Sequence, residues 1–162
     1  MNKIVAIVVA LFFIQAASAQ NFEPKTKMDH VLFAISAIER DSDFVAALDY
    51  INEAISEDST NAFCYTVRGN IYLLQKSYSL ALEDFHRVIA LNPDDFSSFL
   101  ARAKCWYFLK DYGAALKDLN QAAHLEPFDG DVYFWRSKVR KILGDNAGSE
   151  ADFKIYKNMN AD

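Results

Sequence analysis

From Met28 onward, apolar and small residues recur at i, i+4 and i+7, the stripe of a buried helix face and not the alternation of a strand. Between residues 62 and 95 the stripe falls into two helices. Tyr65, Gly69 and Tyr72 mark the first, and Ala81, Phe85 and Val88 the second. A step of 34 residues then lays Trp106 on Tyr72, Tyr112 on Tyr78, Ala115 on Ala81, Asp118 on Asp84, Leu125 on Leu91 and Pro127 on Pro93, without a gap. One step back begins a first unit at Met28 that keeps Phe44, Ala47, Ile51 and Ala54. One step forward begins a fourth at Gly130 that keeps Tyr133, Gly144, Ser149 and Phe153. The units are therefore 28–61, 62–95, 96–129 and 130–162. A fixed period of this length predicts an all-α array of stacked helical hairpins. Pro93 and Pro127 end the second helix of their units. Small residues at Gly69, Ala103 and Ser137, and at Ala47, Ala81, Ala115 and Ser149, let the two helices of a hairpin approach closely.

The same register carries charge. Arg68, Arg102 and Arg136 share one position, and Asp84, Asp118 and Asp152 share another. The first unit lacks both, with Ala34 and Tyr50 in their places. Pairing within a unit gives every arginine an acid, whereas pairing each aspartate with the next unit's arginine leaves Arg68 without one. Three intra-hairpin ion pairs, partly buried, are the expectation. The alternative is an arginine ladder for a polyanion, which the neighbouring acids would neutralise.

These residues resemble the tetratricopeptide repeat. An apolar residue early in the first helix is followed by a small residue four on and an aromatic three after that. The second helix opens with an aromatic and a small residue, continues with a large apolar one and closes on proline. The second and third units match well, and the fourth matches until it ends. The first is degenerate, with Ile35 at the small position and Ser59 where proline belongs. The resemblance implies a right-handed superhelix, an α-solenoid of four helix–turn–helix hairpins, that binds a protein or peptide on the concave side lined by the first helices.

Carried over position by position, the implied concave face comprises Asn70 and Leu73 in the second unit, beside Phe63, Thr66 and Leu74. The third unit supplies Leu100, Lys104, Tyr107 and Phe108, and the fourth Phe134, Lys138 and Lys141. The first unit offers Asp29, Leu32, Ser36, Glu39 and Arg40. Aromatics on the floor, lysines along one side and Asn70 for a backbone suit an extended peptide or an acidic segment. The plainer reading is that several of these side chains, Phe108 and Leu74 among them, pack between adjacent helices and expose little. Relatives that clamp a C-terminal carboxylate place lysines where Thr66 and Phe134 stand and asparagine where Lys104 stands, so that clamp is not expected. Arrays of this kind commonly finish with a polar capping helix. Here the final helix carries Phe153, Tyr156 and Met159, which either form a small tolerated edge or meet another subunit or a second copy of the chain.

Composition narrows the picture. Lys3, an apolar run from Ile4 to Ile14 and Ala17-Ser18-Ala19 read as a secretory signal over residues 1–19, too short to span a membrane. A leader over 20–27 would follow, and the repeat domain, 28–162, would be periplasmic or secreted, in a Gram-negative envelope, with no stable membrane insertion after cleavage. A net charge of −5 offers no footprint for nucleic acid. Cys64 and Cys105 sit too far apart in register for a bridge and read as small buried residues. His30, His86 and His124 occupy unrelated positions and read as solvent-facing or capping. No glycine-rich phosphate loop, CxxC or HExxH occurs, so catalytic residues, metal ligands and cofactors are not expected. Acidic pairs such as Asp41/Asp43 and Asp94/Asp95 are placed at helix starts.

Overall fold

The computed structural model describes residues 26–41 and 43–161; the expected signal segment and the expected leader up to residue 25 lie outside the described residues, as do the side chains of Glu39, Arg40 and Asp41. Eight helices follow one another among them: α1 (Lys27–Asp41), α2 (Phe44–Glu57), α3 (Ala62–Leu74), α4 (Tyr78–Leu91), α5 (Phe96–Phe108), α6 (Tyr112–Leu125), α7 (Gly130–Ile142) and α8 (Asn146–Met159). The chain divides within α3 into two compact units, one ending at Val67 and the other beginning at Arg68.

In the first unit α1 packs on α2, and Val31, Ala34, Ala47, Ile51 and Ala54 are buried. Thr26 and Asp29 exchange side-chain and backbone hydrogen bonds at 3.2 and 3.1 Å, a capping box that starts α1 at Lys27, inside the expected leader. Lys27 Nζ lies 2.6 Å from Asp58, whose carboxyl this hydrogen bond holds well below the usual carboxylate range. Asp41 closes α1 and does not open a helix. His30 departs from its expected exposure. It is 8% exposed, with its ring nitrogens 3.3 Å from Glu53 and Glu57. Its register position is the one held by Cys64, Ser98 and Val132, all buried, so the position and not the residue type decides.

The second unit is built by the period itself. Small residues bring the helices together: a Cβ at Gly69 would meet the ring of Phe85 at 3.0 Å. Ala81, Leu82 and Phe85 close one core with Cys105. Leu100, Ala103, Ala115, Leu119, Ala122, Val132 and Val139 close the next. Burying a side chain the size of Phe85 or Leu119 contributes about 2–3 kcal/mol. Cys64 and Cys105 are buried and free, and burial pushes the Cys105 thiol up to about 12.

Aspartates organise the helix starts. Asp43, Asp95, Asp111, Asp129 and Asp145 each accept a hydrogen bond from a first-turn backbone N–H. Within each of the last three hairpins the turn is a Schellman motif. Ser77, Asp111 and Asp145 donate backbone hydrogen bonds five residues back, to Tyr72, Trp106 and Arg140, at 2.8, 3.0 and 3.0 Å. The residue before each donor takes a left-handed backbone: φ is 60° at Lys76, 66° at Lys110 and 85° at Gly144. Only the third is a glycine, so the first two turns carry a side-chain penalty of about 1 kcal/mol each.

Three forked ion pairs cross the hairpins. Arg68 meets Asp84, Arg102 meets Asp118 and Arg136 meets Asp152, each with Nε 2.8–2.9 Å and Nη2 2.7 Å from the two carboxylate oxygens. The carboxylates are nearly closed off, between 1% and 3% exposed as residues. At Asp84 burial pushes the carboxyl above its ordinary value, against the pull of the Arg68 hydrogen bonds and charge. Desolvation on this scale makes the pair a matter of mutual satisfaction more than of net gain.

Two predictions follow from these geometries. Removing one partner strands a buried charge, so Asp118→Ala should cost about 3 kcal/mol, while Arg102→Met with Asp118→Leu should cost less than the single change. Urea titrations of both variants decide it; a double variant weaker than the single one sinks the account. At the turns, Lys110→Gly should raise stability by about 0.5–1 kcal/mol, and Gly144→Lys should lower it by a similar amount. Thermal melts that moved in the opposite senses would show that φ is not the controlling quantity.

Candidate functional site

Among the described residues the chemistry available is that of a surface. No group of three or more His, Cys, Asp or Glu side chains is placed to hold a metal, and no helix is long and apolar enough to cross a membrane.

The face presented by α5 and α7 centres on a tryptophan that the sequence reading passed over. Trp135 lies between two lysines, with Lys104 Nζ 5.6 Å and Lys138 Nζ 5.1 Å from its ring centroid. Both distances fall within cation–π range. Lys104 is also 3.9 Å from Asp131, and Lys138 stands 4.7 Å over Phe134. Tyr107 closes the other side of the indole at 5.3 Å between centroids, and packs edge-on to Phe108 and Tyr112. A continuous line of rings thus runs from Tyr78, stacked on Phe108 at 4.8 Å, through Tyr107, Trp135 and Phe134 to Tyr156 and Phe153.

Exposure sorts the expected face differently from the sequence. Asn70, Lys138 and Lys141 are exposed, Phe108 is 43% exposed, and Lys104, Phe134 and Leu73 are half-buried. Leu74 stays open at 57%. Tyr107 is half-buried among three rings, so it is the ring that packs, while Phe108 keeps an open side. Leu100 leaves the face altogether. At 7% exposure it sits in the core with Val132 and Val139, because its register position turns in beneath α7.

Phe134, Lys138 and Lys141 are shared with the end of the array. With Ser137 of α7 and Ser149, Glu150 and Phe153 of α8 they line an open cleft of about 290 Å³. Phe153 is 40% and Met159 38% exposed, while Tyr156 is half-buried against Phe134. Beneath this cleft Asp152 accepts a second guanidinium, with Arg140 Nη1 at 3.0 Å. Arg140 occupies the register place of the aromatics Tyr72 and Trp106, and that exchange was the signal available in the sequence. His86 and His124 are exposed, and His86 lies edge-on to Trp106 at 6.1 Å.

Comparison with known proteins bears on this architecture. The tetratricopeptide repeat family model matches residues 62–95. No curated protein matches the chain by sequence. Among solved structures, MamA MSR-1 superposes with a TM-score of 0.77 at 16% identity, over 96% of this chain and 88% of that one. MamA 41-end from Desulfovibrio magneticus RS-1 gives 0.76 at 15%, over 83% and 75%. The Arabidopsis OM64 TPR domain gives 0.68 at 21%, over 72% and 95%. At these identities the likeness concerns the fold alone. A tetratricopeptide repeat is thus matched in the chain's own sequence over residues 62–95, and its eight described helices share the all-α fold of those structures.

Proposed function

We propose that the chain is a non-enzymatic adaptor of the cell envelope that holds a peptide segment or partner protein on the face formed by its first helices. The observation that carries this reading is the Trp135 platform flanked by Lys104 and Lys138 and bordered by Tyr107. Lysines held over a ring are ordered before a ligand arrives, so less side-chain entropy is lost on binding. Their charge selects an acidic segment, the exposed ring of Phe108 offers apolar contact, and the exposed amide of Asn70 can meet a peptide backbone. Export rests on the basic, apolar and A-x-A pattern of residues 1–19, which supports a periplasmic or secreted adaptor.

A second reading is favoured by the open ring of Phe153 and the exposed Met159 on α8. There the chain is a structural or self-assembling subunit of an envelope complex that uses its last helix.

The test is retention of a protein from envelope extract by the chain from Gln20 onward, beside Lys104→Glu and the double variant Lys104→Glu, Tyr107→Ala. The single variant is included because Tyr107 also packs against three rings. Capture by the native chain that falls at least roughly tenfold in both variants, a loss of about 1.4 kcal/mol, supports the first-helix face. Equal capture by all three removes that face from consideration. Light scattering across a concentration series addresses the second reading, which a concentration-independent monomer would sink.

A further inference from the structure

Each hairpin of the second unit leaves a groove between its two helices, and the protein shows what fills one. The groove of α5 and α6 receives α7: Val132 and Val139 are buried there against Leu100, Ala103, Ala115, Leu119 and Ala122, with Trp135 packed alongside. A step of 34 residues carries that groove onto α7 and α8. Leu100, Ala103, Lys104, Tyr107, Ala115, Leu116 and Leu119 become the seven residues that line the 290 Å³ cleft. Among the described residues nothing covers it. The last groove therefore has the shape of a seat for a helix, with Phe134 and Phe153 as its apolar floor.

Its chemistry is altered in one direction. Lys141 stands for Tyr107, Glu150 for Leu116 and Ser149 for Ala115, so the seat tolerates water when empty, as the preceding groove would not. Lys138 and Lys141 line it, and Lys157 stands over the Phe153 ring at 4.9 Å, against the single carboxylate of Glu150. Asp152 beneath is already matched by Arg136 and Arg140. The seat is thus basic in a protein whose net charge is −5.

We infer that the α7–α8 groove docks an acidic amphipathic helix of a partner protein, laid down where α7 lies on the hairpin before it. The docked helix buries apolar residues at the spacing of Val132, Trp135 and Val139 against Phe134 and Phe153. Its flanking carboxylates meet Lys138, Lys141 and Lys157. Binding is reversible because the groove is soluble in both states, and its charge makes the association rate fall with salt. The inference rests on the general reading of the chain as an interaction module; its groove shares Phe134, Lys138 and Lys141 with the first-helix face but includes neither Lys104 nor Tyr107.

The probe is a synthetic helical peptide with valine, tryptophan and valine at the spacing of Val132, Trp135 and Val139 and glutamates on its flanks. Its twin carries lysine at every glutamate. Fluorescence anisotropy with the full chain should show the acidic peptide binding at least roughly tenfold tighter than its twin, and weakening as salt rises. Lys138→Glu with Lys141→Glu, both exposed, should remove that preference while the circular dichroism spectrum stays that of the native chain. Phe153→Asp should weaken both peptides, and Lys117→Glu, the same charge change on α6, should leave binding as it was. Equal binding of the twins, or acidic-peptide binding indifferent to the lysine pair, overturns the inference. So does a dimer in sedimentation that Phe153→Asp abolishes, since the groove then belongs to a second copy. Failure here beside capture through Lys104 and Tyr107 would leave the adaptor reading intact and discard only this seat.

Discussion

A two-helix hairpin has more apolar surface than its own helices can cover, and that shortfall governs this protein. Phe85 is sealed by a glycine opposite it within the hairpin, and Leu119 by valines that arrive from the next hairpin. Local packing and packing between neighbours are therefore inseparable in the second unit. Stability accumulates from interface to interface, as in other linear arrays. The surfaces that remain for recognition are the sides of the first helices and the face of whichever hairpin has no successor over it.

Against that background the polar interior has a clear role. Guanidinium and carboxylate cross each of the last three hairpins at the same height, with forked hydrogen bonds that tolerate little displacement. An apolar contact in their place would allow the helices to slide by a residue. The ion pair fixes the register, while the desolvation of its buried partners offsets much of their attraction. In the last hairpin Arg140 brings a second guanidinium to Asp152, where aromatic packing has been given up.

The period made most of the architecture legible. Once 34 residues were recognised as the repeat, helix identity, the close approach at Gly69 and the intra-hairpin partners of Arg68, Arg102 and Arg136 all followed from counting. Counting failed where a position does two jobs. Leu100 shares a helix face with Lys104 and Tyr107, yet the arrival of α7 buries it, and only the neighbouring helix settles that. Trp135 holds a place that is small in the unit before it, Ala101, so family positions gave no reason to look there. His30 was judged by its residue type, although its register place is buried in every unit. Left-handed lysines at 110 and 76 could have been inferred from Gly144, one and two steps away, because the turn demands the backbone whether or not the sequence supplies glycine.

The recurring turn also bears on how such a chain can change length. Each of the last three units carries its own Schellman closure and its own crossed charges, so a duplicated or deleted block of one whole period among them would meet its neighbours with these contacts in phase. An insertion of any other length within a unit would turn Leu119, Val132 and Val139 away from one another at once. The protein is therefore tolerant of large genetic steps and intolerant of small ones, a grain in its evolvability set by the reach of one hairpin.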